Sequence, residues 1–102
     1  MTKEGNGKPI AFKIDMSDLV TQEINQLKKE AQVKGIAQEV QKALRVILSR
    51  LRTNPLEFGE LIRSFGHLKL IVHVAAVPPL FVRFAIHAEA QFVIILKIQF
   101  LS

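Results

Sequence analysis

The 102-residue sequence contains no cysteine. This absence excludes a disulfide framework, a thiol nucleophile and a cysteine-ligated zinc site. A chain of this length forms one domain, and it buries a modest core without disulfides or a structural metal. The composition fits a reducing compartment without requiring one.

Long hydrophobic runs are also missing. The longest run, around Phe92 to Leu96, has the length of a strand, whereas a membrane-spanning helix needs ~18 or more apolar residues. The polar N-terminus, Met1 to Lys8, lacks the apolar segment of a signal peptide. We therefore expect a cytoplasmic protein in which residues 1–8 form a disordered leader and residues 9–102 form a single domain.

Charge is unbalanced but not clustered. The formal net charge is +5 and the pI is about 9.9, yet no block of five like charges occurs. A basic domain is compatible with a polyanionic partner such as nucleic acid. It is equally compatible with an ordinary solvated surface, and the absence of a block excludes a basic tail.

The first half of the chain predicts one strand and two helices. Alternating residues in Pro9–Asp15 favour a short edge strand. Apolar residues then recur at helical spacing from an N-cap at Ser17 or Asp15 to a break at Gly35, and again over residues 36–53. Asn54-Pro55 ends the second helix. The two helices form an αα-hairpin or one kinked helix, and residues 56–66 form a connector with a short helical turn.

The last third, from His67 onward, predicts a three-stranded antiparallel meander. Side chains alternate between the faces of a strand, so parity separates an apolar face from a mixed face. Because tight two-residue hairpins require positive φ, we expect a three-residue loop at 77–79 rather than a Pro78-Pro79 turn. That register places His73 opposite Arg83, and a five-residue second loop at 88–92 would place Arg83 opposite Lys97. The mixed face then carries Lys69, His73, Arg83, His87 and Lys97.

Three segments of the sequence resemble the RelE/ParE toxin superfamily. LRTNPLEFGELIRSFGHLKL is similar to the family's passage from the second helix into the meander, PLFVRFAIH to its arginine-bearing strand, and FVIILKIQFL to its closing strand. The resemblance covers the chain from Ile10 onward. It implies an α+β fold with a short N-terminal strand, an αα-hairpin and a three-stranded antiparallel meander packed on the helices.

The resemblance also implies alternative functions. RelE-like members cleave mRNA at the ribosome, ParE-like members poison DNA gyrase, and antitoxins neutralise both. By analogy, a ribonuclease would use Arg83 on the scissile phosphate with Lys69 and His87, while His73 and Lys97 would bind nucleic acid. The ribonuclease members also need a tyrosine or histidine after the last strand. This sequence has no tyrosine and ends at Ser102, so we expect a diverged member lacking those catalytic residues.

The candidate polar residues allow plainer interpretations as well. The histidines could be an acid–base pair or ordinary residues of a half-exposed sheet. Only Glu89 accompanies them, so we expect no metal, and no residue pattern indicates a cofactor. Glu57 and Glu60 are typical solvated connector acids.

Apolar residues on the mixed face favour binding over catalysis. Ile71, Phe81, Val93 and Ile95 fall on that face by parity, and two helices suffice to cover only the other face. We therefore expect a toxin-like module that acts through protein–protein contact, with an antitoxin-like protein or a second copy on the mixed face. The alternatives are an active ribosome-dependent endoribonuclease and a self-associating structural module without toxin activity.

Overall fold

The computed structural model of the chain describes residues 11–101. It is an α+β fold with two α-helices and a five-stranded mixed sheet. The expected leader and the beginning of the expected first strand, at Pro9, lie outside the described residues. In chain order the elements are β1 (Lys13–Met16), α1 (Asp18–Lys34), α2 (Ala37–Thr53), β2 (Glu60–Phe65), β3 (Leu70–Val77), β4 (Leu80–His87) and β5 (Phe92–Phe100), with 3-10 turns at Pro55–Glu57 and Gly66–Leu68.

The helix boundaries follow local signals. The Ser17 side chain accepts a hydrogen bond from the Val20 N–H at 3.2 Å and caps α1. Gly35 ends α1 at φ +75°, a left-handed conformation that glycine adopts without a Cβ penalty. The Phe12 N–H donates to the Arg52 carbonyl at 2.8 Å, so the end of α2 returns to the beginning of β1. The helices therefore form a hairpin. Neither of these two helices is long and apolar enough to cross a membrane.

The sheet has the strand order β1-β5-β4-β3-β2, with β1 parallel to β5 and all other neighbours antiparallel. The meander contains four strands rather than the expected three. Residues 60–65, expected to lie in a connector with a helical turn, form the edge strand β2. Gly59 allows the chain to begin β2 close beside β3, because its φ is +75° and a Cβ there would collide with the Val74 carbonyl oxygen on β3.

The hairpin between β3 and β4 contradicts the expected three-residue loop. Val77 pairs with Leu80, so the loop is the two residues Pro78-Pro79. The peptide bond between them is cis, as in a type VI turn, and this turn reverses the chain without positive φ. The expectation of a three-residue loop was therefore wrong, and the two-residue loop that it excluded is the one present. A register change of one residue moves every side chain of β3 to the opposite face.

The final strand keeps the expected Arg83–Lys97 pairing by a different route. The loop before β5 has four residues, because His87 pairs with Phe92. Phe84 then pairs with Ile95 and Arg83 with Lys97, so Leu96 is an extra, bulged residue on β5 that restores the expected register. Before the bulge, Val93 and Ile95 face the helices, which is opposite to the expected parity. After it, Ile98 packs in the core as expected.

The core lies between the helix hairpin and one face of the sheet. Phe84 is fully buried at its centre, where its ring stacks on Phe58 with 5.6 Å between centroids. The helices contribute a stripe of buried residues at helical spacing, and the sheet contributes alternate residues of β3, β4 and β5. The principal buried side chains are Val40, Ile47, Leu51, Leu80, Val82, Phe84, Ile86, Val93, Ile95 and Ile98.

Candidate functional site on the open face of the sheet

The sheet face turned away from the helices is called the open face here. Directly paired residues on neighbouring strands share a face, so the register identifies its members. One row across the sheet runs Arg63, Val72, Ala85, Ile94, and the next runs Glu60, Val74, Arg83, Lys97. None of these residues belongs to the core beneath the helices. Further members are Ala76, Phe81, His87, Phe92, Leu96 and Gln99. On β1, Lys13 and Asp15 share this face because they pair with Phe92 and Ile94.

Four cationic side chains lie on the open face: Lys13 at the β1 edge, and three on the strands β2, β4 and β5. Arg83 is exposed on β4 and is paired across the strands with Lys97 on β5, while Arg63 is exposed on β2. Like charges directly opposite one another destabilise a sheet unless an anion lies between them. Within residues 11–101, no carboxylate lies within 4.0 Å of any of the three. The arrangement can therefore receive an anionic group from another molecule.

Arg63 and Arg83 border a concavity of about 470 Å³, and we call it the arginine concavity. Its floor is Val72, which is only 7% exposed although no helix covers it. The guanidinium of Arg63 lies 5.8 Å from the ring of Phe65. The remaining walls are apolar side chains, Ile62 and Leu96. Such a mixture suits an amphipathic ligand group with an anionic end.

His73 does not lie on the open face, where it was expected beside Arg83. It pairs with Phe84 on the helix side and is 6% exposed. Its Nδ1 lies 2.9 Å from the Phe58 carbonyl oxygen, and because a carbonyl only accepts, Nδ1 donates this bond. The one-residue difference in the hairpin loop is the physical reason for the error. His73 is a buried structural residue rather than part of the open face.

Lys69 and His87 also have local partners. Lys69 lies just before β3, not within it, and its ammonium binds the Glu89 carboxylate at 2.9 Å. His87 lies on the open face, but its Nδ1 accepts the Ala90 N–H at 3.0 Å and its ring stacks on Phe92. Arg83 and His87 are four residues apart on one strand, about 13 Å at ordinary strand rise. The structure therefore brings Arg83 to Lys97 and does not gather Arg83, Lys69 and His87 into one cluster.

Arg63 and Val72 were not predicted from the sequence as members of this surface. Arg63 was placed in a connector, and the parity of Val72 was inverted with the rest of β3. Gly59 and Gly66 on either side of residues 60–65 were the available signal for a separate strand. Among residues 11–101, no group of three or more histidine, aspartate and glutamate side chains is placed to hold a metal ion.

Comparisons of the chain with protein-family models, with curated proteins and with solved structures found no match.

Proposed function

We propose that the chain is a toxin-like module of a bacterial type II toxin–antitoxin system, or a diverged homologue of one, that acts through protein–protein contact. The open face of the sheet is its contact surface. The resemblance of three sequence segments to the RelE/ParE superfamily motivates the toxin-like class. The observation that favours contact is the composition of the open face, which joins apolar residues to Arg63, Arg83 and Lys97, none of which has a described carboxylate within 4.0 Å.

The apolar part of the surface supports a protein partner. Val72 and Ala85 are shielded by neighbouring side chains, whereas Leu96 remains 44% exposed. Protein interfaces commonly combine an apolar centre with arginine, which also forms bidentate bonds with carboxylates. An antitoxin-like partner would bring apolar side chains to Leu96 and acidic ones to Arg83.

The endoribonuclease is the second candidate, and the Arg83–Lys97 pair favours it because two adjacent cations suit a phosphodiester. Proton transfer is the weaker part of this alternative. Lys69 is paired with Glu89, and the only ring nitrogen of His87 without a described partner is Nε2.

Induced expression in a bacterial host tests the proposal. Leu96→Glu alters the open face at an exposed position, and Val33→Glu on α1, where Val33 is 89% exposed, is the matched control. We expect the unaltered chain to arrest growth, Leu96→Glu to relieve the arrest and Val33→Glu to retain it, with cellular mRNA intact. Gyrase-dependent DNA breaks would assign the ParE-like branch.

Two outcomes would count against contact through the open face. Site-specific mRNA cleavage that disappears with Arg83→Ala would favour the endoribonuclease. An absence of growth arrest at a confirmed level of folded protein would remove the toxin-like class and leave the structural module.

A further inference from the structure

The two edge strands of the sheet, β1 and β2, differ in how well they are protected from pairing with another chain. β1 has four residues, and α1 begins two residues after its end, while the N–H of the preceding Phe12 is bound by α2. β2 has six residues, and within the described chain none of its backbone groups bonds outside the β2–β3 ladder. Its outer row of N–H and C=O groups is a template for pairing with another strand.

The centre of the β2 edge is apolar. Leu61 is 60% exposed and Ile62 is 50% exposed, and they are adjacent on the strand. Edge strands that resist pairing usually carry lysine, proline or an inward-pointing charge. β2 has a bulge between Leu61 and Arg63, which limits the length of a regular ladder, but its centre lacks those other devices.

We propose that two copies of this chain pair through their β2 edges, antiparallel about a twofold axis between Leu61 and Ile62. The segment Glu60-Leu61-Ile62-Arg63 is complementary to itself in this register. Glu60 lies opposite Arg63 of the partner subunit, and Leu61 and Ile62 of the two subunits meet at the axis. The twofold axis repeats both contacts, as an interface between identical surfaces requires.

The faces of the two charged residues agree with this register. Glu60 pairs with Val74 and Arg63 with Val72, and these β3 residues are two apart and share the open face. The bulge at Ile62 supplies the odd spacing between Glu60 and Arg63. Both side chains therefore project on one side of the sheet, where opposite charges on paired strands attract. Neither has a described salt-bridge partner within its own chain.

Neighbouring registers lack this complementarity. An axis between Ile62 and Arg63 places Glu60 opposite the partner's Phe65 and Arg63 opposite the partner's Ile62, so no ion pair forms. An axis through Arg63 places two guanidinium groups opposite each other. Charge therefore selects the register centred between Leu61 and Ile62.

The pairing has a consequence for the larger surface. A twofold axis perpendicular to the sheet keeps both open faces on the same side, so the two arginine concavities, each bordered by Ile62 and Arg63, become neighbours. This inference goes beyond the proposed function and does not depend on it, since a dimer could form whether or not the chain arrests growth.

Sedimentation velocity over a concentration series, with charge-reversal variants, tests the pairing. The unaltered chain is expected to show a concentration-dependent dimer. Glu60→Arg and Arg63→Glu each replace two attractive pairs with two repulsive ones, and each should weaken dimerisation by roughly tenfold or more. The double variant Glu60→Arg/Arg63→Glu should restore it. An equimolar mixture of the two single variants should form a heterodimer, because both of its pairs are again attractive.

Glu57→Arg is the control, since Glu57 is exposed outside β2 and should leave the dimer unchanged. All three positions are exposed, and circular dichroism of each variant verifies the fold. A monomer at every concentration overturns the proposal. So does a dimer that neither single reversal weakens, or one that the double variant fails to restore.

Discussion

The two faces of the sheet are formed by alternate residues of the same strands, yet they differ in burial, charge and hydrogen bonding. On the helix side, Phe84 is fully buried and the polar group of His73 has a hydrogen-bond partner. On the open side, the adjacent Arg83 is exposed beside Lys97 without a described counter-ion. This difference indicates that stability resides mainly on the helix side. The open side carries charges that contribute little to folding.

The largest expected effect comes from truncating matched phenylalanines on the two faces. Phe84→Ala removes a fully buried ring that stacks on Phe58, and it should lower the free energy of unfolding by about 3–5 kcal/mol. Phe81→Ala, on the same strand but the open face, should cost about 1–2 kcal/mol, because that ring is only partly buried. Urea denaturation measures both. Equal losses would contradict the difference between the faces.

The sequence predicted the helix boundaries better than the register of the strands. The helix N-cap, the break at Gly35 and the end at Asn54-Pro55 rest on local backbone chemistry. The break and the end occur as expected, and Ser17 is the N-cap of the two candidates, Ser17 and Asp15. Faces in a sheet depend instead on a count of residues along each loop. Pro78-Pro79 reverses the chain one residue sooner than expected, so the assignment of β3 was inverted.

The candidate site was predicted only in part, because it too depends on how the strands pair. Arg83 and Lys97 were expected to be neighbours, and they are, although a bulge in β5 rather than a longer loop produces the pairing. Bulges leave no reliable mark in a single sequence. His73 was lost from the surface because its face depended on the loop, and Arg63 was missed because β2 was taken for a connector. These errors concern pairing between strands, which local sequence does not determine.

The buried His73 is expected to matter more for stability than His87 on the open face. His73→Leu replaces the imidazole with an apolar side chain of similar size and leaves the Phe58 carbonyl without its donor, so it should destabilise the fold by about 1–3 kcal/mol. His87→Leu is the control on the open face. The Ala90 N–H that it leaves free is in an exposed turn and can bond to water, so its cost should stay below about 1 kcal/mol. Thermal and urea unfolding compare the two.

A larger loss for His87→Leu than for His73→Leu would contradict the assignment of His73 to the helix side. Amide hydrogen exchange offers a second measurement. Since Phe58 packs on Phe84, loss of the His73 bond should speed exchange at the centre of β3 and β4, whereas His87→Leu should affect only the turn before β5.

The smallest expected effect has the opposite sign. Arg83→Gln removes one of two like charges that face each other across β4 and β5, and it should stabilise the chain by about 0.2–1 kcal/mol at low ionic strength. The gain should shrink as salt screens the repulsion. Arg45→Gln, at an exposed position on α2, is the control and should change stability little. If Arg83→Gln instead destabilised the chain, the guanidinium would have to contribute to the fold, which would count against its role in the proposed contact surface. Stabilisation combined with loss of growth arrest would place this arginine among residues that serve binding at a cost to folding.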